Sequence, residues 1–400
     1  MKKALIFVFV FIVSACTTKT KEVVSKKELS HPKMIDICNI EYSDTPQKLS
    51  MFVDSIEYVR IEDEPLIPDL WNVHLAEDHF GNIYLDFDQI FKYKPNGQFI
   101  KSLFKKGQGP GEVTRKYGRA VYDMNHKKVY VANSGLGYNI YTLDGEFIKC
   151  EDNALGHLNR KYLNFWNDYA VTYFYNNGFP QKGESVNMDS TFFIQVTDKN
   201  QLVYQLPNYH YDIKAVFSGR GLAQSSSGPV QNGTINDSLY WMKPHYVDTV
   251  YTTTDWKDVS PYYVIHKSDR AADYAWSVRA KVGDITKNEA FKEMLGSVCV
   301  FDSGVLFNYM FDRERIGCGF CPADGKCTVI SQSFINDIDG FCPTLDMNKI
   351  LMYNSFYQKG NYLYVLVDAF KFFEDGAKSP FGDLKEDSNP VLVKLRLKLL

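Results

Sequence analysis

Two nine-residue segments constrain this chain more than any other feature. Tyr93-Lys94-Pro95-Asn96-Gly97-Gln98-Phe99-Ile100-Lys101 and Tyr141-Thr142-Leu143-Asp144-Gly145-Glu146-Phe147-Ile148-Lys149 correspond position for position, 48 residues apart. Each holds a three-residue connection ending in glycine. That is the requirement of a hairpin built on a type I turn plus a left-handed residue, because glycine takes positive φ without strain. Just upstream, Gly81-Asn82-Ile83-Tyr84-Leu85 and Lys127-Lys128-Val129-Tyr130-Val131 supply the preceding strand of each unit, and Gly360-Asn361-Tyr362-Leu363-Tyr364-Val365 reads as a late copy. A spacing near 46 to 48 residues with several short strands per unit marks a propeller blade. Closing such blades into a ring removes the sheet edges that would otherwise aggregate.

The remaining body agrees with this reading. From Ser50 onward, short runs rich in Tyr, Phe, Val and Ile alternate with polar residues and stop at Gly, Asn, Asp or Pro. Its 27 Tyr and 28 Phe suit broad β surfaces, where a ring packs inward and a hydroxyl stays wet. The stretches Tyr162 to Pro207, Gly233 to Asp255 and Ser297 to Asp339 carry β patterns lengthened by insertions, and about six blades fill the available length. One insertion reads as helical: Thr286-Lys287-Asn288-Glu289 is a capping box followed by Ala290 to Leu295 and a stop at Gly296, and Ala271 to Ala280 is a second short candidate. The expectation is an all-β fold over 49–400: a six-bladed β-propeller with four-stranded antiparallel blades and a short helical insertion covering one face.

Ahead of the body, Met1-Lys2-Lys3 precedes an apolar run from Ala4 to Val13 and the small residues Ser14 and Ala15. This is the pattern of a secretory leader over 1–15, its ten-residue apolar run about half the roughly 20 residues of a membrane-spanning helix. Val13-Ser14-Ala15-Cys16 resembles a bacterial lipobox, which implies a diacylglycerol thioether on Cys16 and cleavage before it. The polar, Lys-rich stretch 16–48 reads as a tether. The expected location is the cell envelope, lipid-anchored, at the outer membrane, with the membrane as partner through Cys16. A net charge of −3 with scattered Lys and Arg argues against nucleic acid.

Gly107-Gln108-Gly109-Pro110-Gly111-Glu112, the two Tyr-x-x-Asn/Asp-Gly-x-Phe hairpins, Asp248-Thr249-Val250-Tyr251 and Asn336-Asp337-Ile338-Asp339-Gly340 together resemble the six-bladed β-propeller lipoproteins of bacteria, distantly similar to NHL-repeat and TolB-like propellers. The resemblance spans about Leu49 to Leu400. It implies six blades and an envelope location and assigns no reaction.

Candidate chemistry is sparse. The cluster Gly107 to Gly111 lacks the Lys-Ser/Thr and helix of a phosphate loop and reads as an inter-blade crossing. Seven cysteines follow Cys16, an odd number, so at least one stays unpaired within the chain. Cys318, Cys321, Cys327 and Cys342 have the ligand types of a zinc site, yet an oxidising compartment favours a bridge. If Ala323-Asp324-Gly325 is a three-residue loop, Cys321 lies opposite Cys327 and a disulfide can form; free thiols are the other reading. Carboxylates gather at Asp86 and Asp88, at Asp312 and Glu314 around Arg313 and Arg315, and at Asp337 and Asp339. Of these, Arg313, Asp337 and Asp339 are the candidate binding residues, beside a structural role as turn formers. No His-Glu-x-x-His or Gly-x-Ser-x-Gly motif is present. The expectation is a binding or scaffold propeller without cofactor, metal or assigned catalysis, presenting a loop-built face, with aromatics such as Trp71, Trp166 and Trp241 near loop boundaries, to a glycan, peptide or protein. A polysaccharide lyase or hydrolase and a structural envelope subunit are the alternatives.

Overall fold

A computed structural model describes residues 31–67, 70, 73–116, 118–133, 137–152, 160–175, 192–207, 230–244, 247–273, 276, 292–312, 314–353, 355–374 and 379–398. The chain is an all-β, six-bladed propeller. Blade one holds strands His74–Glu77, Ile83–Asp86, Ile90–Tyr93 and Phe99–Ser102. Blade two holds Val121–Asp123, Lys128–Ala132, Gly137–Thr142 and Phe147–Asp152, and blade three Arg160–Trp166, Tyr169–Tyr175, Phe192–Asp198 and Gln201–Pro207. Blade four runs through Val230–Ile235, Leu239–Pro244, Thr249–Thr253 and Ser260–Lys267. Blade five comprises Met294–Phe301, Gly304–Met310 and Ile316–Pro322, with the segment around Ser331 bridging to Cys318 at its outer edge.

Blade six closes the ring. Its inner three strands, Phe356–Lys359, Tyr362–Val367 and Val391–Leu397, come from the C-terminal part of the chain, and its outer strand, Val53–Arg60, from the N-terminal part. The closing register runs from Val391 opposite Arg60 to Leu397 opposite Val53. Joining the two ends of the fold in one sheet turns an open array into a closed one.

The twin segments occupy equivalent positions, each the end of a third strand, a turn and a fourth strand. Lys94 N donates to Gln98 O at 2.8 Å and Thr142 N to Glu146 O at 2.8 Å. Gly97 and Gly145 both adopt the left-handed conformation, at φ 84° and 81°. Tyr93 and Tyr141 are buried, and each packs edge-on against the phenylalanine beyond its turn, Phe99 and Phe147, at 5.5 and 5.7 Å.

Apolar side chains fill the spaces between blades. Ile83, Leu85, Phe91 and Tyr93 meet Tyr364, Leu366 and Leu392 between blades one and six. Tyr84, Ile90 and Leu103 meet Val129, Val131 and Tyr141 between blades one and two. Each blade shows both faces to a neighbour, which explains why whole strands such as Ile83–Asp86 and Ile90–Tyr93 are buried rather than alternating.

Two expectations require correction. The stretch 31–48, read as the end of a tether, belongs to the fold. Strand Lys33–Ile37 pairs in parallel with Ser260–Lys267 on one side and Gly325–Lys326 on the other, Glu41–Tyr42 pairs with Val329–Ile330, and Gln47–Lys48 with Phe334–Ile335. Ile35, Ile37 and Ile40 on this arm are buried. The expected helix from Thr286 to Leu295 falls mostly outside the described residues, but its described end, Met294 and Leu295, opens the strand Met294–Phe301, which runs through the expected stop at Gly296; most of Ala271 to Ala280 is likewise outside them, and Ala271 bridges to Glu293. The α-helix among the described elements is Met347–Met352, capped by Asp346, whose carboxylate accepts from Lys349 N at 2.9 Å.

Candidate functional site: the loop end of the propeller

Antiparallel blades have two ends, and here they differ in kind. At one end lie the turns joining first to second and third to fourth strands, such as 78–82, 94–98, 143–146, 167–168, 236–238, 302–303 and 360–361. The left-handed residues Gly81, Lys127, Asn167, Asn200, Asn236, Asp237, Asp324 and Gly360 fall in or next to these turns. At the other end lie the links between second and third strands and the crossings between blades. Among the described residues these include 103–116, 268–273, 331–353, 368–374 and 379–390. Among the described residues the longer connections therefore gather at one end, where such loops build binding surfaces.

Charged side chains tie the strand ends to these crossings. Asp86 is fully buried; Lys116 from the crossing approaches its Oδ1 at 2.7 Å, and Ala120 N donates to its Oδ2 at 2.7 Å. Burial pushes the Asp86 carboxyl above the usual carboxylate range despite that lysine. In blade four, Lys267 Nζ lies 2.6 Å from Asp248 and donates to Ala272 O at 2.9 Å. Beside them Lys243 is 1% exposed, and burial, with the Lys267 charge as the lesser cause, lowers it to about 8. Glu293 accepts from Arg270 at 2.9 Å, Tyr309 OH at 2.8 Å and Ser268 Oγ at 3.1 Å. The Arg315 backbone N–H, and then the Arg315 guanidinium at 2.6 Å, keep the Asp312 carboxyl low. Exposed apolar and aromatic side chains stand on the same set of loops: Leu66, Met352, Tyr353, Phe370 and Phe373.

The candidate residues named from sequence separate. Asp337 accepts Ser50 N at 2.9 Å and Ser50 Oγ at 2.7 Å, so it fixes the arm to the blade-five crossing. Asp339 accepts Tyr58 OH at 3.0 Å, Asn336 Nδ2 at 2.8 Å and Phe341 N at 3.1 Å, so it fixes the closing strand. Arg313 and Cys16 lie outside the described residues. Trp166 and Trp241 are core residues, 6% and 1% exposed, and Trp71 is outside the described residues.

Cys321 and Cys327 are separate free thiols. The turn between them is Ala323–Asp324, with Asp324 left-handed at φ 54°, and Gly325–Lys326 pairs with the arm rather than with Ile316–Pro322. Cys321 Sγ then lies 3.5 Å from Gly325 O, and Cys327 Sγ 3.3 Å from Val329 O. The four-cysteine zinc reading meets a further obstacle: Cys318 and Cys342 sit in the core between blades five and six, Cys321 and Cys327 in the core between blades four and five. The Gly107 to Gly111 crossing spends its own donors internally. Gly109 N donates to Glu112 Oε2 at 2.9 Å and Gly107 N to Val113 O at 3.3 Å, so these two donors turn inward.

One polar network had no signal in the sequence. At the turn end, Glu77 of blade one meets Lys359 at 2.6 Å and Lys394 at 3.7 Å from blade six, while Lys92 reaches Asp144 of blade two at 2.8 Å. Tyr84 OH donates to Asp78 Oδ2 at 3.0 Å in the same region. These residues lie in three blades, so only ring closure assembles them.

A closed ring of six blades with one elaborated end defines a β-propeller with a loop-built face. Within that class the chain belongs to the DUF4934 family, a domain of unknown function whose model matches residues 32–396 and so includes the arm. A protein from Bacteroides fragilis NCTC 9343 described as exported superposes with a TM-score of 0.58 at 12% identity, over 92% of this chain and 100% of its own. A member of the DUF4221 family from Bacteroides vulgatus aligns with a TM-score of 0.43 at 12% identity, over 86% of this chain and 97% of that one. No curated protein matches the sequence significantly. Among the described residues, no helix is long and apolar enough to cross a membrane.

Proposed function

We propose that the protein is an envelope-anchored binding propeller whose loop end takes a glycan, peptide or protein partner. The observation that carries this reading is the asymmetry of the ring: tight turns at one end, long crossings with exposed Tyr353, Phe370 and Phe373 at the other. Flat, exposed aromatic side chains supply stacking and apolar contact at little entropic cost, and the paired charges beneath them hold the loops in place. The anchor in this reading is Cys16, behind the leader that ends at Ala15. A structural neighbour is itself described as exported.

The test for the binding face is a panel of envelope and host glycans and peptides presented to the purified protein, followed by hydrogen exchange with any ligand found. Bound ligand is expected to protect amides of 331–355 and 368–374, and Phe370→Ala with Tyr353→Ala to weaken binding about tenfold or more. Protection confined to turns such as 78–82 and 94–98, or a panel with no binder, would sink the reading. The anchor is tested separately by expressing Cys16→Ala: the wild-type chain is expected in the membrane fraction with a lipid mass increment, the variant without either.

A further inference from the structure

At the rim of blade four, the arm brings three metal-binding side chains together. Parallel pairing places Asp36 opposite His266 as register partners, with Asp36 Oδ1 3.3 Å from His266 Nδ1. Cys38 follows Asp36 by two residues, and Cys38 N donates to Asp36 Oδ1 at 3.2 Å, which folds the end of the arm back over the carboxylate. The carboxylate oxygen, thiol sulfur and imidazole nitrogen all lie within 4.8 Å of one another. A recess of about 530 Å³, lined by Cys38, His266, Ser268, Asp269 and Arg270, opens beside them.

We propose that Asp36, Cys38 and His266 form a zinc site with one coordination position open to this recess. The donor set carries the choice of metal: a thiolate, an imidazole and a carboxylate together suit Zn²⁺, which takes four tetrahedral N, S and O ligands. Three protein ligands leave the fourth position to solvent or to a bound group. Small movements bring the donors to bonding distance, since His266 is exposed and Cys38 stands just beyond the end of strand Lys33–Ile37. On binding, the Cys38 thiol loses its proton to solvent and the thiolate bonds the ion, so two negative ligands balance its charge. Lys326 Nζ, 3.7 Å from Asp36 Oδ2 and itself largely exposed, keeps the second carboxylate oxygen while the first turns to the metal. Such an outer partner orients a ligating carboxylate. The site's ligands rest on the arm and the blade-four edge strand, and its recess adjoins the first residues of the crossing that follows that strand.

The experiment is a titration of the reduced, chelator-stripped full-length chain with Co²⁺ and then Zn²⁺. One equivalent of Co²⁺ is expected to give the visible absorption of a tetrahedral site together with a near-ultraviolet thiolate band, and Zn²⁺ to displace it and raise the melting temperature. Cys38→Ser is expected to remove the thiolate band, and His266→Gln and Asp36→Asn each to weaken Zn²⁺ binding by about 100-fold, the scale on which even supporting partners act. Cys150→Ser, at an exposed cysteine elsewhere, serves as control and is expected to bind as wild type. Melting temperatures of the metal-free variants within a degree or two of wild type tie these losses to the ligands rather than to unfolding. A thiolate band that survives Cys38→Ser, or affinity unchanged in all three variants, overturns the assignment.

Discussion

Asp86 and Lys116 show how much a single buried pair can carry at the loop end. The carboxylate has no solvent exposure, and the lysine side chain only 5%. Removing one partner leaves an uncompensated charge in a dry site, whereas removing both leaves none. Lys116→Met is therefore expected to destabilise the protein by about 3–5 kcal/mol, and Asp86→Asn combined with Lys116→Met by clearly less. Denaturant unfolding of both single variants and the double measures this, and losses that simply add would mean that the pair does not interact. Lys243 is the opposite case, a buried cation whose nearest charges include another cation. Its folded value falls from the ordinary 10.5 to about 8. Between those limits the unfolded chain holds a proton that the folded chain has released, so this group makes stability rise with pH across that window and costs most below it. Lys243→Met is expected to gain on the order of 2–3 kcal/mol at pH 7, with the gain shrinking towards pH 9.5. A difference independent of pH would show that Lys243 keeps its proton in the fold.

The elements divide by whether their signal is local. The twin hairpins were legible because their turn chemistry is written into consecutive residues, and Gly97 shows why it cannot vary. At φ 84°, a Cβ there would run into the carbonyl of Arg60 in the closing strand of blade six. Gly118, also left-handed at φ 62°, has open space around it. Gly97→Ala is therefore expected to cost about 3 kcal/mol or more, backbone strain plus displacement of Arg60, and Gly118→Ala about 1–2 kcal/mol from strain alone. Thermal unfolding of both separates the two causes, and equal losses would remove the clash from the account. The arm was not legible, because parallel strands joined to distant partners leave no turn signature in the sequence. The short helix Met347–Met352 spans too few residues to show a periodicity. The expected facing of Cys321 and Cys327 rested on a local hairpin, whereas Gly325–Lys326 pairs with the distant arm, a partner that leaves no mark in the neighbouring residues. At the candidate face, the sequence identified carboxylates that the fold spends on holding the arm and closing strand, and the exposed Phe370 and Phe373 carried no motif at all.

For the whole molecule, the arm decides where the folding unit begins. Strand Lys33–Ile37 lies between the outer strand of blade four and the strand Gly325–Lys326 that follows blade five, and residues 41–48 continue along the blade-five edge to the closing strand of blade six. Ile35, Ile37 and Ile40 are each no more than 5% exposed. Burying a large aliphatic side chain contributes about 1.5–3 kcal/mol, so these three alone supply roughly 5–9 kcal/mol before conformational entropy is charged against them. That is comparable to the entire net stability of an ordinary domain, about 5–15 kcal/mol. Without the arm, the outer strand of blade four and the segment after blade five also present unpaired edges, with Tyr263 and Ile265 newly uncovered beside them. A chain beginning at residue 49 is therefore expected to be insoluble, or to melt far below a chain beginning at residue 32 and to bind a hydrophobic dye, although both keep the closing strand Val53–Arg60. Adding the peptide 32–48 to the shortened chain is expected to raise its melting temperature, because every pairing partner of the arm remains. Coincident melting curves for the two chains would show that the ring is held by blade six alone and that the arm only lies upon it.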